Sequence, residues 1–174
     1  MIVNNHHLKT PVTISEVKLG IPNDYKLKCI DEIYKLGDSQ DQTTNVKAIM
    51  TSYFLWKESR TFDVLFDKIL NLIISLKKPF NPTKEYKLVE AWGAVYKEGH
   101  YTIPHGHGLF STSFVYYLKS NGSTPLIFDE VGFQADAKDD MLIIFPSYLI
   151  HSVPIHNDKE DRVCIAGNIT YTED

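Results

Sequence analysis

Cysteine is nearly absent: Cys29 and Cys164 are the only two in 174 residues. Two thiols cannot staple a chain of this length, which excludes a disulfide scaffold and fits a reducing cytoplasm. Long hydrophobic runs are missing too. The most apolar stretches, residues 69–76 and 141–145, are far shorter than the ~20 residues a bilayer requires, so no membrane partner is expected. Basic charge is not in excess: 18 Lys and Arg stand against 22 Asp and Glu, a net charge of −4. Nucleic-acid binding is driven mainly by cations neutralising phosphates, so no such partner is expected either. The opening residues 1–7 lack a basic region followed by an apolar one, which argues against a secretory signal. There is no internal repeat, low-complexity tract or linker. Hydrophobic residues make up 43% and charged residues 23%, the balance of a globular chain. At this size folding buries ~70% of the unfolded chain's surface. The expectation is one soluble, cytoplasmic domain over residues 1–174; the sequence carries no mark of an oligomeric state.

Periodicity changes along the chain. Two helical patterns lie before residue 80. The first spans residues 24–36, with Asn23 or Asp24 as its cap, a stripe of Leu27, Ile30, Ile33 and Tyr34, and Gly37 as its end. The second spans residues 61–77, with Ser59 or Thr61 capping it and Phe62, Leu65, Phe66, Ile69, Leu70, Ile73 and Leu76 recurring at threes and fours. Lys77, Lys78 and Pro79 mark its C-terminus. Both stripes suit packing on a sheet. Residues 46–56, rich in β-branched and aromatic side chains, read as a strand. The second half reads as strands at 86–96, 101–107, 113–118, 125–128, 132–135, 141–145, 150–154 and 162–171, separated by turn-forming residues. Short strands at this spacing predict a mainly β barrel or jelly roll, and helices that precede the sheet argue against a parallel βαβ fold.

Of the seven histidines, His105 and His107 are the most informative. Residues two apart in a strand share a face, which would set these imidazoles side by side. Gly106 and Gly108 beside them leave room for a bound group to approach the backbone. In a chain with seven histidines, such a pair is a weak signal alone. His151 opens a later strand in apolar surroundings and reads either as a hydrogen-bonded core residue or as a further ligand. Arg162 opens an otherwise apolar strand; it calls for an anion in the interior, or for a surface salt bridge. Alternation adds a clue. Arg162, Cys164, Ala166 and Asn168 share one face, and Ser113, Val115 and Tyr117 share another, while Phe114, Tyr116 and Leu118 point the opposite way. The bulky face suits a helix, and the faces of small residues with a polar head suit a cavity wall. Tyr117 and Arg162 would then be neighbours able to hold a carboxylate through charge-assisted hydrogen bonds.

The run Tyr96–His107, the segment Phe114–Leu118, His151 and Arg162 together resemble the iron(II)/2-oxoglutarate-dependent oxygenases, in particular the prolyl-4-hydroxylase-like branch and its phage-encoded members. Asn45–Thr51 and Phe145–Ser147 resemble the same phage group, and the likeness extends over residues 44–170. It implies a double-stranded β-helix, a cupin-like jelly roll at residues 84–172, with the N-terminal helices of residues 1–83 packed on one outer face. It implies iron(II) held by His105 and His151, with His107 where the family has an aspartate or glutamate. Arg162 would bind the far carboxylate of 2-oxoglutarate, aided by Tyr117, with Tyr96 as a further cosubstrate contact; Asn168, on the Arg162 face, is a further candidate for that role. The implied reaction is hydroxylation of a small molecule or of a peptide or protein residue, consuming O2 and 2-oxoglutarate and releasing succinate and CO2, with ascorbate as an accessory reductant.

A histidine in place of the carboxylate leaves the site one negative charge poorer. His107 can ligate, water can take its place, or Asp129, Glu130 or Asp136 can swing in; the first requires no rearrangement. Two other readings remain open: a three-histidine cupin-type metalloenzyme that does not use 2-oxoglutarate, and a non-catalytic jelly-roll binding module. A carboxylate clamp of Arg162 and Tyr117 would separate the first reading from the second, and a convergence of the three histidines would separate both from the third. The loops at 97–104, 108–112 and 131–140 are expected to rim the cavity.

Overall fold

A computed structural model describes residues 12–37, 44–77 and 85–172. Residues 1–11, and with them the chain start, lie outside the described residues, as do Lys78 and Pro79, the expected helix stop. The elements run β1 (Ser15–Lys18), α1 (Asn23–Leu36), β2 (Val46–Lys47), β3 (Ile49–Met50), α2 (Leu55–Glu58), a 3-10 turn (Arg60–Phe62), α3 (Asp63–Lys77) and β4 (Glu85–Tyr96). There follow β5 (Tyr101–His105), β6 (Thr112–Lys119), β7 (Leu126–Phe128), a 3-10 turn (Asp129–Val131), β8 (Phe133–Ala135), β9 (Met141–Pro146), β10 (His151–Val153) and β11 (Arg162–Thr172).

The strands form two antiparallel sheets. The larger has the order β1-β9-β6-β11-β4-β3 and the smaller β2-β5-β10-β7-β8. Chain neighbours repeatedly fall in different sheets, which is the winding of a jelly roll. The central strands of the larger sheet are buried on both faces, and two cores result. Phe114, Tyr116 and Leu118 of β6 and Val163, Ile165 and Ile169 of β11 point outward and join Cys29, Ile30 and Ile33 of α1 and Leu65, Phe66, Ile69 and Ile73 of α3. Gly93 of β4 allows this close approach: a Cβ there would stand 2.6 Å from the Ile33 side chain. Val115, Tyr117 and Cys164 point inward and join Trp92, Ala94, Tyr96, Leu126, Phe128, Phe145 and Val153 between the sheets. The predicted division of β6 into a helix-facing and an inward-facing set is therefore the division observed.

Several elements differ from their sequence reading. The single strand expected at 46–56 is two strands in different sheets: Val46 and Lys47 pair with β5, Ile49 and Met50 pair with β4, and a helical turn follows. The chain crosses from sheet to sheet at Ala48, and β propensity reports extended backbone without reporting the partner. β1 was not expected; Ser-Glu-Val-Lys has a single apolar residue, and it is the edge position beside β9 that makes it a strand. α1 begins after Pro22 with no side-chain cap, so neither Asn23 nor Asp24 serves as one. Ser59 accepts the Thr61 N–H, but its helix opens with the 3-10 turn before α3. Asp140, with φ at +64°, accepts the backbone N–H groups of Gly20 and Ile21 and the Tyr116 hydroxyl, and so ties the segment after β1 to the start of β9.

Candidate metal and carboxylate site

β5 and β10 are neighbours in the smaller sheet, and their register sets His151 directly opposite His105. Their rings are 4.4 Å apart between centroids. β5 ends at His105, however, so His107 does not reach its partner by strand alternation as its spacing suggested. The chain turns at Gly106, which lies against the carbonyl of Tyr148, and the His107 N–H donates to the Ser147 carbonyl at 2.7 Å. That turn brings the His107 ring to 4.9 Å from His105 and 5.3 Å from His151. One ring nitrogen from each of the three lies within 4.8 Å of the others.

The hydrogen bonds prepare these nitrogens for a cation. Nδ1 of His105 is 2.9 Å from the Ile103 carbonyl, and Nδ1 of His151 is 2.9 Å from the Leu149 carbonyl. A carbonyl only accepts, so each Nδ1 carries the proton and each Nε2 keeps its lone pair. Burial and then the nearby His105 push His107 down to about 4, and the same two causes push His151 down to about 3. Burial lowers His105 as well. Three neutral imidazoles are thus available at neutral pH, and neutral imidazole is the ligating form.

These shifts carry a stability prediction. An unfolded histidine titrates near ~6.5. Below that pH the unfolded chain takes up protons that the folded chain refuses until about pH 4 at His107 and about pH 3 at His151. Stability is therefore lost as pH falls through this window. Thermal melts of the metal-free protein should drop steadily from pH 7 to pH 4.5, with a smaller slope in His151→Ala. Equal slopes in the two proteins would contradict the assignment.

The carboxylates considered as substitutes stand elsewhere. Asp129 and Glu130 are exposed in the 3-10 turn after β7, and Asp136 is exposed and paired with Lys138 at 2.6 Å. The ligand cluster among the described residues consists of the three histidines.

A narrow recess runs inward from His105 and His151. Its floor is cleared by Ala94, Cys164 and Ala166, and Arg162 closes it. Arg162 is 2% exposed, and its guanidinium lies 4.6 Å from the Tyr96 ring and 4.8 Å from the Tyr117 ring. Nη2 donates to the Tyr117 hydroxyl at 3.2 Å, while Nε and Nη1 are buried without any hydrogen-bond partner. No ion pair to Arg162 occurs among the described residues. A guanidinium is always charged, and a buried, unpaired one is costly enough that an anionic partner is the natural explanation. Tyr96 also donates or accepts a hydrogen bond with Thr102 at 2.6 Å, and burial pushes its phenol up to about 12. Tyr96 is therefore a neutral wall of the recess, and burial raises the Tyr117 phenol as well.

Asn168 stands apart from Arg162, six residues along β11, with its amide already engaged. Nδ2 donates to Glu90 at 3.0 Å and Oδ1 accepts from Ser113 at 2.7 Å. The sequence reading missed Thr102, Trp92 and Glu90. Counting back by twos from Tyr96 along β4 finds Trp92 and Glu90 on the same face, and that periodicity was the available signal.

No protein-family model matches the chain, and no curated protein matches it. Solved structures do. The viral collagen prolyl hydroxylase of Paramecium bursaria Chlorella virus-1, in complex with 2-oxoglutarate, superposes with a TM-score of 0.70 at 15% identity, over 92% of this chain and 96% of that one. A Pseudomonas putida prolyl-4-hydroxylase gives 0.69 at 14% identity, over 94% and 95%. HygX of Streptomyces hygroscopicus, with nickel and 2-oxoglutarate bound, gives 0.69 at 13% identity, over 91% and 83%. The fold is that of the iron(II)/2-oxoglutarate oxygenases. Within that group the prolyl hydroxylases are among the structures it matches over nearly their whole length.

Proposed function

We propose that this chain is an iron(II)- and 2-oxoglutarate-dependent oxygenase that hydroxylates a small molecule or a peptide residue. The observation that carries the reading is the pairing of two unmet needs in one recess. Three neutral imidazoles bring one ring nitrogen each within 4.8 Å of the others, and a buried guanidinium further in has two nitrogens with no acceptor. A dicarboxylate that also chelates a metal satisfies both at once. The residues fit the cofactor: His105, His107 and His151 would hold iron(II), and imidazole is a good ligand for it. When bound, iron(II) with 2-oxoglutarate and O2 supplies the oxidising power for hydroxylation, with succinate and CO2 as by-products.

The chain's own residues do the rest. Arg162 and the Tyr117 hydroxyl take the far carboxylate, and Tyr96 packs over the guanidinium, so that the cosubstrate is oriented before oxygen arrives. Ala94, Cys164 and Ala166 line the recess with small side chains, which favours entry of a ligand. Leu126, Val153 and Val115 keep the recess dry, which strengthens each charge interaction within it. With His107 as the third imidazole the ligand set is neutral; of the cosubstrate's two negative charges one meets Arg162 and the other would meet the metal, so the centre keeps one net positive charge.

The test is an anaerobic titration of the Fe(II)-loaded protein with 2-oxoglutarate. A visible charge-transfer band should appear and saturate. Its absence at saturating cosubstrate would refute the reading and leave a three-histidine metalloprotein of another kind.

A further inference from the structure

The inward face of the larger sheet is arranged in rows. Tyr96 lies opposite Arg162 at the closed end. Trp92, Ala166 and Val115 form the row beside the histidines, with the Trp92 ring 6.1 Å from that of His107. One pleat repeat further out, roughly 7 Å on, come Glu90, Asn168 and Ser113. This outer row holds a carboxylate in a fixed position. Asn168, with no exposed surface, donates to Glu90 Oε2 at 3.0 Å, and its own oxygen is held by Ser113. The Ser113 hydroxyl is 2.9 Å from that of Ser147, whose carbonyl holds the His107 N–H. A run of buried polar groups thus ties the Glu90 carboxylate to the backbone that carries His107.

Such a network is expensive to bury, and a glutamate kept for solubility has no use for it. Glu90 is half-buried. Among the described residues it has no cationic partner: the ion pairs formed there use Asp139, Glu32, Asp63 and Asp136. Trp92 and Tyr53, stacked edge to face at 5.1 Å, form an aromatic wall beside it. The charge of Glu90 reaches the Tyr53 phenol, adding to burial in pushing it up. A carboxylate so oriented, with no counterion among the described residues and next to aromatic rings, is matched by an ammonium or guanidinium group.

We propose that Glu90, flanked by Tyr53 and Trp92, is the subsite that takes a positively charged nitrogen of the substrate and so decides which C–H bond is presented to the histidines. This deepens the oxygenase reading and rests on it for the reaction, but cation binding itself requires neither metal nor cosubstrate. The centre then has a polar axis, with an anion held at Arg162, a cation held at Glu90 and the histidines between. Asn168 acts through Glu90 and is a positioning residue.

The experiment titrates the metal-free protein at low salt with n-pentylammonium and with the neutral N-pentylacetamide, read by tryptophan fluorescence and saturation-transfer NMR. The wild type should bind the ammonium more tightly, by up to about fivefold, the upper end for a partly exposed ion pair. That comparison needs no variant. Glu90→Gln, which keeps the shape and an acceptor for Asn168, should erase the preference, with circular dichroism verifying its fold. Equal binding of the two probes by the wild type, or an undiminished preference in Glu90→Gln, overturns the proposal. A missing charge-transfer band in the same preparation counts against the oxygenase reading and not against this site.

Discussion

Replacing His151 by alanine should abolish divalent-metal binding, weakening it at least ~100-fold. Loss of a partner that merely orients a ligand already costs 10–100-fold, and here a ligand itself is lost. His151 is 6% exposed, its Nδ1 is anchored on the Leu149 carbonyl, and β10 sets it opposite His105. The ligand cluster among the described residues holds no fourth side chain to take over, and Asp129 and Glu130 of the turn after β7 are exposed. The vacated space lies against the Phe145 ring, 4.8 Å from the imidazole, and that of Phe128, 6.1 Å from it, so the variant should still fold around a small apolar gap. Cobalt(II) is the convenient probe. Its visible absorption reports the ligand field, calorimetry gives the affinity, and a cooperative melt verifies the fold. Unchanged cobalt affinity in a folded His151→Ala protein would eliminate the three-histidine centre.

Much of this architecture was legible in the residues. Each of the eight strand candidates after residue 84 corresponds to a strand, because alternation and turn-forming residues are local signals. The inward or outward sense of β6 and β11 followed from side-chain size, since small residues leave a cavity and bulky ones fill a helix interface. What escaped was whatever depends on a partner. β1 is a strand because β9 offers it an edge, and residues 46–50 divide between two sheets because the chain crosses there. His107 illustrates the limit within the site. The residue was flagged on strand geometry, yet it is a turn fixed by the Ser147 carbonyl that brings it to the other two imidazoles. Asn168 was flagged for its face, which it shares with Arg162, but the face alone did not reveal that Glu90 and Ser113 already occupy its amide. Glu90 shares a face with Tyr96, but an acidic residue in a strand has no meaning in sequence alone; it gains one from the Asn168 amide that holds it and from the absence of a cationic partner among the described residues. For Arg162 the sequence offered an interior anion site or a surface salt bridge; burial at 2% with two unpartnered nitrogens rules out the surface salt bridge.

That burial makes the Arg162→Met variant the most discriminating one, since binding and stability should move in opposite directions. Loss of one partner from a buried charge pair costs ~2–5 kcal/mol, so the affinity for 2-oxoglutarate should fall by about thirtyfold to several thousandfold. The ligand-free protein should not suffer. The guanidinium is desolvated with only the Tyr117 hydroxyl and two aromatic faces in return. Replacing buried charge by an apolar chain of similar length is often neutral or stabilising by ~1–4 kcal/mol. The variant should therefore melt at or above the wild-type temperature. Saturating cosubstrate separates the two proteins further: at a hundred times its Kd, 2-oxoglutarate adds ~2.7 kcal/mol to the wild type and should add nothing measurable to the variant. The comparison is made on cobalt-loaded protein under nitrogen, by calorimetry and thermal melting. An arginine that merely braced the β11 end of the barrel would give the reverse pattern, a lower melting temperature with the cosubstrate response intact, and that pattern would remove the carboxylate-binding role from Arg162.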